Sequence, residues 1–325
     1  MTDQSGPGEP TERVAGRRPD LSPPAERVAG GRPSPSSPVE RVAWRLSRLA
    51  GVEIAECRPL GSEHGAQHYR VRLADGRELF VKVAAGSAPD AGAALAAEAT
   101  GLRWLGEAAA VPIPEVVASG DGLLALRWLP QASPDLAAAE EFGRDLAALH
   151  ATGSPRFGAP WRGFIASLPL PNDQAESWPS WYARCRLLPY ARLARDAGTF
   201  GTADISLIES VAGRIGALAG PEEPPSRIHG DCWSGNVIWS GGRGWLIDPA
   251  AHGGHRETDL AMLALFGAPR LDRIMASYLE AAPLADGWRA RVPLHQLHPL
   301  LVHVCLFGTG YRESALAAAR AALSA

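Results

Sequence analysis

Lysine is almost missing from this chain. Of 32 basic side chains in 325 residues, Lys82 is the only lysine. Asparagine is nearly as scarce and survives only at Asn172 and Asn236. Ala, Arg, Gly and Pro dominate instead, as a GC-rich coding sequence would produce. Under such a bias a residue type persists where its usual substitute fails. Lys82, Asn172 and Asn236 are therefore the first candidates for a specific role.

Other absences narrow the function. There is no unbroken run of about 18 apolar residues, so no transmembrane helix is expected. The N-terminus is rich in Pro, Gly and Arg, without the apolar stretch of a secretory signal. Cys57, Cys185, Cys232 and Cys305 are scattered and form no C-x-x-C pair, which suits free thiols in a reducing cytoplasm. The formal net charge of -3 gives no strong pull toward nucleic acid or an anionic membrane. The ten tryptophans are not interleaved with basic residues in the manner of an RNA-binding surface. His252/His255 and His295/His298 each form H-x-x-H, but neither pair has partners at zinc spacing.

Residues 1–38 form a Pro-, Gly-, Ser- and Arg-rich tail with too little apolar surface to offset the entropy of ordering. "PTERVAG", "PAERVAG" and "PVERVAW" begin at Pro10, Pro24 and Pro38, a period of 14. Only the third copy leads into an apolar-periodic run. That run predicts the first helix of the folded body, with Ser37 as N-cap and Pro38 at its first position.

A β-rich region follows. "AQHYRVRL" and "ELFVKV" alternate and are joined by a turn at 74–77. Lys82 lies on the second run and points away from Val81 and Val83. A helix is predicted over about 88–109, with Leu95, Leu102 and Leu105 on one stripe and Glu98 midway. "PEVVASGDGLLALRWLP" reads as two more strands around an Asp-Gly turn. From about Asp135 the pattern becomes mostly helical. It is interrupted by "VIWSGGRGWLIDP", a hairpin turned at Gly241-Gly242. The expected fold class is α+β in two lobes. Residues 39–127 would form the smaller lobe, with an antiparallel sheet plus helix, and 128–325 the larger helical one.

The octapeptide "HGDCWSGN", 229–236, opens that hairpin. Asp231, Asn236 and the Asp248 of "LIDP" can meet at its end. Each residue type has a task in phosphoryl transfer. Mg²⁺ takes hard oxygen ligands, which Asn236 and Asp248 offer. Nucleotide phosphates need a cation, and Lys82 on a strand supplies a compact one, with Glu98 to fix it. An acceptor hydroxyl needs a carboxylate within hydrogen-bond reach, and Asp231 fits. Protein kinases share this order and the Asp-x4-Asn spacing. The spacing alone is weak; H-G-D, Asn236 and "LIDP" twelve residues on are together specific. "GSEHG", 61–65, lies where a loop covering the phosphates would be, with Gly61 and Ser62 as candidate contacts. It is not G-x-G-x-x-G, and a plain hairpin turn is the competing reading.

With "LIDPAAHGGHRETDLAM", "LPLPNDQAESWPSWYARCRL" and "PLHQLHPLLVHVCLFG", the octapeptide resembles the fructosamine kinase (ketosamine-3-kinase) family, relatives of the aminoglycoside phosphotransferases. The likeness covers roughly 39–320. It implies a protein-kinase-like fold, ATP and Mg²⁺ as cofactors, and the 3-hydroxyl of a free or protein-bound ketosamine as acceptor. Carried over, Asp231 would be the catalytic base, Asn236 and Asp248 would hold Mg²⁺, and Lys82 with Glu98 would contact the phosphates. Leu126 and Trp128 would lie in the hinge beside adenine. His229 and Asp259 would support the loop. Trp233 would either face the sugar or pack the loop, and His303 is a further substrate candidate.

Two departures stand out. No Cys lies in the Gly-rich stretch, and Val302 replaces an expected polar residue. An aminoglycoside or choline phosphotransferase and an inactive ATP-binding scaffold are the alternatives. A monomer and a dimer are equally compatible with the sequence.

Overall fold

Residues 37–86 and 90–325 are described by a computed structural model; most of the N-terminal tail read from the sequence lies outside them. Ser37 and Glu40 form a reciprocal capping box, with Pro38 at the first position, and start helix α1 (Pro38–Ala50) where the third repeat copy predicts it. The described residues thus open on the N-cap of α1.

Strands β1 (Ile54–Glu63), β2 (Ala66–Leu73), β3 (Glu78–Ala84), β4 (Val116–Gly120) and β5 (Leu123–Arg127) make one antiparallel sheet in the order β1-β2-β3-β5-β4. Helix α2 (Ala91–Gly106) connects β3 to β4. Alternation sorts the side chains between two cores. Val81, Val83, Leu123 and Ala125 pack with Val42 and Leu46 of α1. Leu124 and Leu126 pack with Leu95, Ala99 and Leu102 of α2. β5 is therefore buried on both faces, which is why "LLALR" shows no polar alternation. The expected α2 stripe divides: Leu95 and Leu102 lie under the sheet, while Leu105 joins the core of the helical part.

That part starts with α3 (Leu136–Ala151), capped by Asp135. A small hairpin of β6 (Gly163–Ile165) and β7 (Leu168–Leu170) follows. Helix α4 (Trp178–Tyr182) passes through a π-helical turn into α5 (Leu188–Asp196), and α6 (Thr202–Leu218) comes next. Strand β8 (Ser226–Ile228) leads to the 229–236 loop. The loop opens into the hairpin of β9 (Val237–Ser240) and β10 (Arg243–Leu246). β11 (His252–Gly254) returns to pair with β8. Helices α7 (Glu257–Phe266), α8 (Leu271–Ala281), α9 (Trp288–Phe307) and α10 (Arg312–Ser324) complete the chain. Because β11 pairs with β8, both ends of the loop-hairpin unit are pinned in one place. Among the described residues, no helix is long and apolar enough to cross a membrane.

His255, Glu257 and His295 gather with ligand atoms within 4.8 Å of one another. Arg291 already occupies this cluster as its cation, donating to both Glu257 oxygens at 2.9 and 2.5 Å. The group reads as a buried ion pair joining α7 to α9.

Candidate active site

The alternation of β3 drives Lys82 to the α2 side of the sheet. There its Nζ donates to Glu98 Oε1 and Oε2 at 2.9 and 3.0 Å and to Asp248 Oδ1 at 2.7 Å. One ammonium thus bridges α2 to the segment after β10, between two carboxylates. Burial opposes its charge, but Glu98 and Asp248 outweigh burial and hold its pKa above the usual lysine value. Burial also acts to raise Asp248; Lys82 overcomes it and brings that carboxyl below its usual value. Glu98 is pushed up to about 8, by burial foremost and by the Asp248 charge, against the pull of Lys82.

Asp231 is placed by the backbone around it. Buried Asp259 at the start of α7 accepts from His229 N at 2.7 Å and from Gly230 N at 2.9 Å. Its Oδ2 lies 3.2 Å from His150 Nε2, and the other nitrogen of that ring is 2.8 Å from the Tyr278 hydroxyl. Gly230 has φ +79°, and a Cβ there would lie 2.3 Å from Ala250 O, so only glycine fits this approach of the loop to β11. His229 Nε2 donates to Ile247 O at 2.8 Å, and its Nδ1 accepts from Asp231 N at 3.3 Å. The imidazole thereby joins the loop to the end of the hairpin. Asn236 Nδ2 donates to Asp231 Oδ2 and to Asp231 O, both at 2.9 Å, and reaches Asp248 O at 3.5 Å. Asp231, Asn236 and Asp248 do converge. Burial pushes the Asp231 carboxyl up to about 7; Asn236 offsets part of this, and the Asp248 and Asp259 charges add to it.

These groups line a cleft of about 640 Å³. The sheet contributes His68 and Phe80, the β9–β10 unit Ile238 and Ile247, and the 126–129 segment Leu126, Trp128 and Leu129. Trp161, Gly163, Phe164 and Trp233 also line it. Arg162 binds Asp90, the residue before α2, with two 3.0 Å bonds, tying the β6–β7 hairpin to the sheet-bearing part.

A family profile described as fructosamine kinase matches residues 40–325. The chain belongs to the fructosamine kinase family. It is 32% identical over 265 residues to a protein of Klebsiella aerogenes named a probable ketoamine kinase, covering 80% of this chain and 89% of that one. A crystal structure from Thermobifida fusca YX-ER1, named as a candidate fructosamine-3-kinase, superposes with TM-score 0.85 at 52% identity, over 87% of this chain and 99% of that one. The choline kinase LicA from Streptococcus pneumoniae superposes with TM-score 0.58 at 16% identity, over 88% and 99% of the two chains; this likeness concerns the fold alone. The fold is the two-lobed α+β architecture of protein-kinase-like phosphotransferases, and the family implies ATP as phosphoryl donor.

Not every residue named from the sequence reaches the cleft. Gly61 and Ser62 lie inside β1, exposed, and the expected loop is a tight turn at His64-Gly65. The register shift between Pro59 and Gly61 lets the strand continue past the glycine. From this hairpin it is Glu63, His64, Ala66 and His68 that line the cleft. His303 is also outside the lining: it sits on α9, with Nδ1 2.8 Å from Pro299 O. Asn172 is buried behind the wall, its Oδ1 accepting from Arg186 at 2.8 Å. That places one rare asparagine in a structural network and the other in the site. His68 and Phe80 were missed, although alternation could have found them. Phe80 is two residues before Lys82, and His68 is the cross-strand partner of Lys82.

Proposed function

We propose that this fructosamine kinase family member transfers the γ-phosphoryl group of ATP to the 3-hydroxyl of a ketosamine, free or on a glycated lysine, in a deglycation role. The observation that carries the reading is the convergence of Asp231, Asn236, Asp248, Lys82 and Glu98 in one cleft. Asp231 takes the proton of the acceptor hydroxyl. That oxygen then forms the new bond to the γ-phosphorus, and the bond to the β–γ bridging oxygen breaks to release ADP. Lys82, fixed by Glu98, meets the nucleotide phosphates. Leu126 and Trp128 flank the base.

The donor set suits Mg²⁺. Asp248 presents a carboxylate that is 41% exposed to the cleft. The Asn236 nitrogen is given to Asp231, which leaves the amide oxygen for a hard cation. When bound, the ion would neutralise charge on the phosphates. The four free cysteines support a cytoplasmic setting.

Polycationic acceptors fit less well. The acidic residues lining the cleft are Glu63, Glu98, Asp231 and Asp248, and the last three belong to the constellation. Among the described residues lining the cleft, only Glu63 remains to meet an aminoglycoside. ATP consumption with fructose-lysine, ribulose-lysine, kanamycin and choline tests the assignment. Turnover on a ketosamine is expected. Turnover on kanamycin or choline alone would overturn it, and ATP binding without any turnover would favour an inactive scaffold.

Trp233 lines the cleft and is 37% exposed, which supports an acceptor role; its indole also folds over Gly235, where a Cβ would lie 2.3 Å from the ring. Gly235→Ala is expected to displace the indole and raise the acceptor KM roughly tenfold while leaving the KM for ATP within about twofold. Steady-state kinetics varying each substrate in turn checks this.

A further inference from the structure

The aromatic surface continues beyond Trp233. Its ring meets Phe266 at 5.9 Å, Phe266 meets His303 at 4.8 Å, and His303 meets Phe307 and Tyr311 at 5.4 and 4.8 Å. The rings come from the 229–236 loop, the end of α7, α9 and the turn after it, so sequence proximity alone does not bring them together. Trp233 is 37% and Phe307 57% exposed, while Phe266, His303 and Tyr311 are half-buried. Contiguous aromatic exposure of this kind marks a binding surface more often than a solvated one.

Only Trp233 of the five lines the cleft; the others lead outward from it. Burial lowers the pKa of His303, which favours its neutral form at physiological pH. Neighbouring Arg312 is held by Asp204 through its Nε and Nη2, so its charge is compensated. The ledge therefore offers aromatic faces beside an arginine whose charge is already paired, a setting that accepts both apolar groups and an ammonium.

We propose that Phe266, His303, Phe307 and Tyr311 bind the substituent carried on the acceptor's nitrogen, and so select ketosamines of aromatic or bulky apolar amines over those of short polar amines. The inference rests on the ketosamine reading above. In a ketosamine the nitrogen is three bonds from the carbon bearing the 3-hydroxyl. When that hydroxyl reaches Asp231, the nitrogen substituent must leave the cleft nearby, and Trp233 on the same loop is where the ledge begins.

The test compares kcat/KM for the fructosamines of benzylamine and of glycine, in wild type, Phe307→Ala, Tyr311→Ala and Phe307→Tyr, with sedimentation velocity on each protein. Wild type is expected to prefer the benzylamine adduct. Either alanine variant should cut the benzylamine-to-glycine ratio roughly tenfold, mainly through KM, and Phe307→Tyr should restore most of it. An unchanged ratio overturns the ledge. So does an unchanged ratio accompanied by loss of a dimer, which would make this surface a contact between copies of the chain. If neither fructosamine turns over in wild type, the ketosamine reading falls and the ledge with it; if both do and the ratio is insensitive, only the ledge falls.

Discussion

Asp231→Asn is expected to lower phosphoryl transfer by roughly 10²-fold or more while making the nucleotide-free protein more stable above neutral pH. The two effects share a cause. The carboxylate sits in the cleft with Asn236 as its hydrogen-bond donor and with two other carboxylates nearby, so its folded-state pKa rises to about 7. A group whose pKa is raised on folding contributes stability below its unfolded pKa. That contribution is lost as pH rises through the folded value. For Asp231 the window runs from the ordinary carboxylate range up to about 7. The side chain is part-exposed to the cleft, so solvent offsets some of the shift, and a gain of ~2 kcal/mol for the asparagine variant at pH 8 is a reasonable magnitude. Thermal unfolding of both proteins at pH 5 and pH 8, beside ATP turnover with the best acceptor, checks both halves. Equal stability at pH 8 would show that Asp231 is not held in the environment described, and undiminished turnover would remove it as the base.

The same pKa bears on activity. Asp231 must be deprotonated to accept a proton, so kcat/KM for the acceptor should rise with pH through the neutral range and then level off. Cations arriving with the nucleotide would favour the anion and move this rise to lower pH.

The sequence made the site legible where spacing carries geometry. An Asp and an Asn five apart, followed by a hairpin, bring three polar groups to one end because the hairpin returns the chain to its start. Period-two alternation placed Lys82 on the face of β3 opposite Val81 and Val83, a face that the structure turns toward α2, and the Ser-Pro start of α1 was readable from capping chemistry. Other parts had no local signal. β6, β7, β8 and β11 are three residues each, too short for periodicity, yet β6 supplies cleft wall and β11 pins the loop. Of the two readings of 61–65, the structure has the plain hairpin turn, at His64-Gly65, because a register shift keeps the strand going past Gly61. His303 was named as a substrate residue from resemblance, and its aromatic surroundings emerge only when α7 and α9 are packed together.

Asp259→Asn should separate placement of the site from its chemistry. The carboxylate is fully buried and accepts two backbone N–H bonds, from His229 and Gly230, beside the His150 ring. Burial acts to raise its pKa, but the His150 hydrogen bond and neighbouring groups outweigh burial and bring it below the usual value. Its stabilising effect is therefore present above the ordinary carboxylate range and lost as pH falls through the lowered value. An amide of the same size keeps one acceptor oxygen and turns an NH₂ toward a donor. One backbone N–H then faces a donor in a buried site, and the charge assistance to both bonds is lost. The expected cost is about 3–5 kcal/mol in unfolding free energy, measured by urea titration. The folded variant should retain ATP binding, since Lys82 and Glu98 are held separately through β3 and α2. Its kcat should fall by roughly 10²-fold, because a shift of the 229–231 backbone moves Asp231 away from the acceptor. Loss of stability with full kcat would show that the loop keeps its place without this brace. Loss of ATP binding together with turnover would show that the brace supports the whole cleft rather than the position of the base.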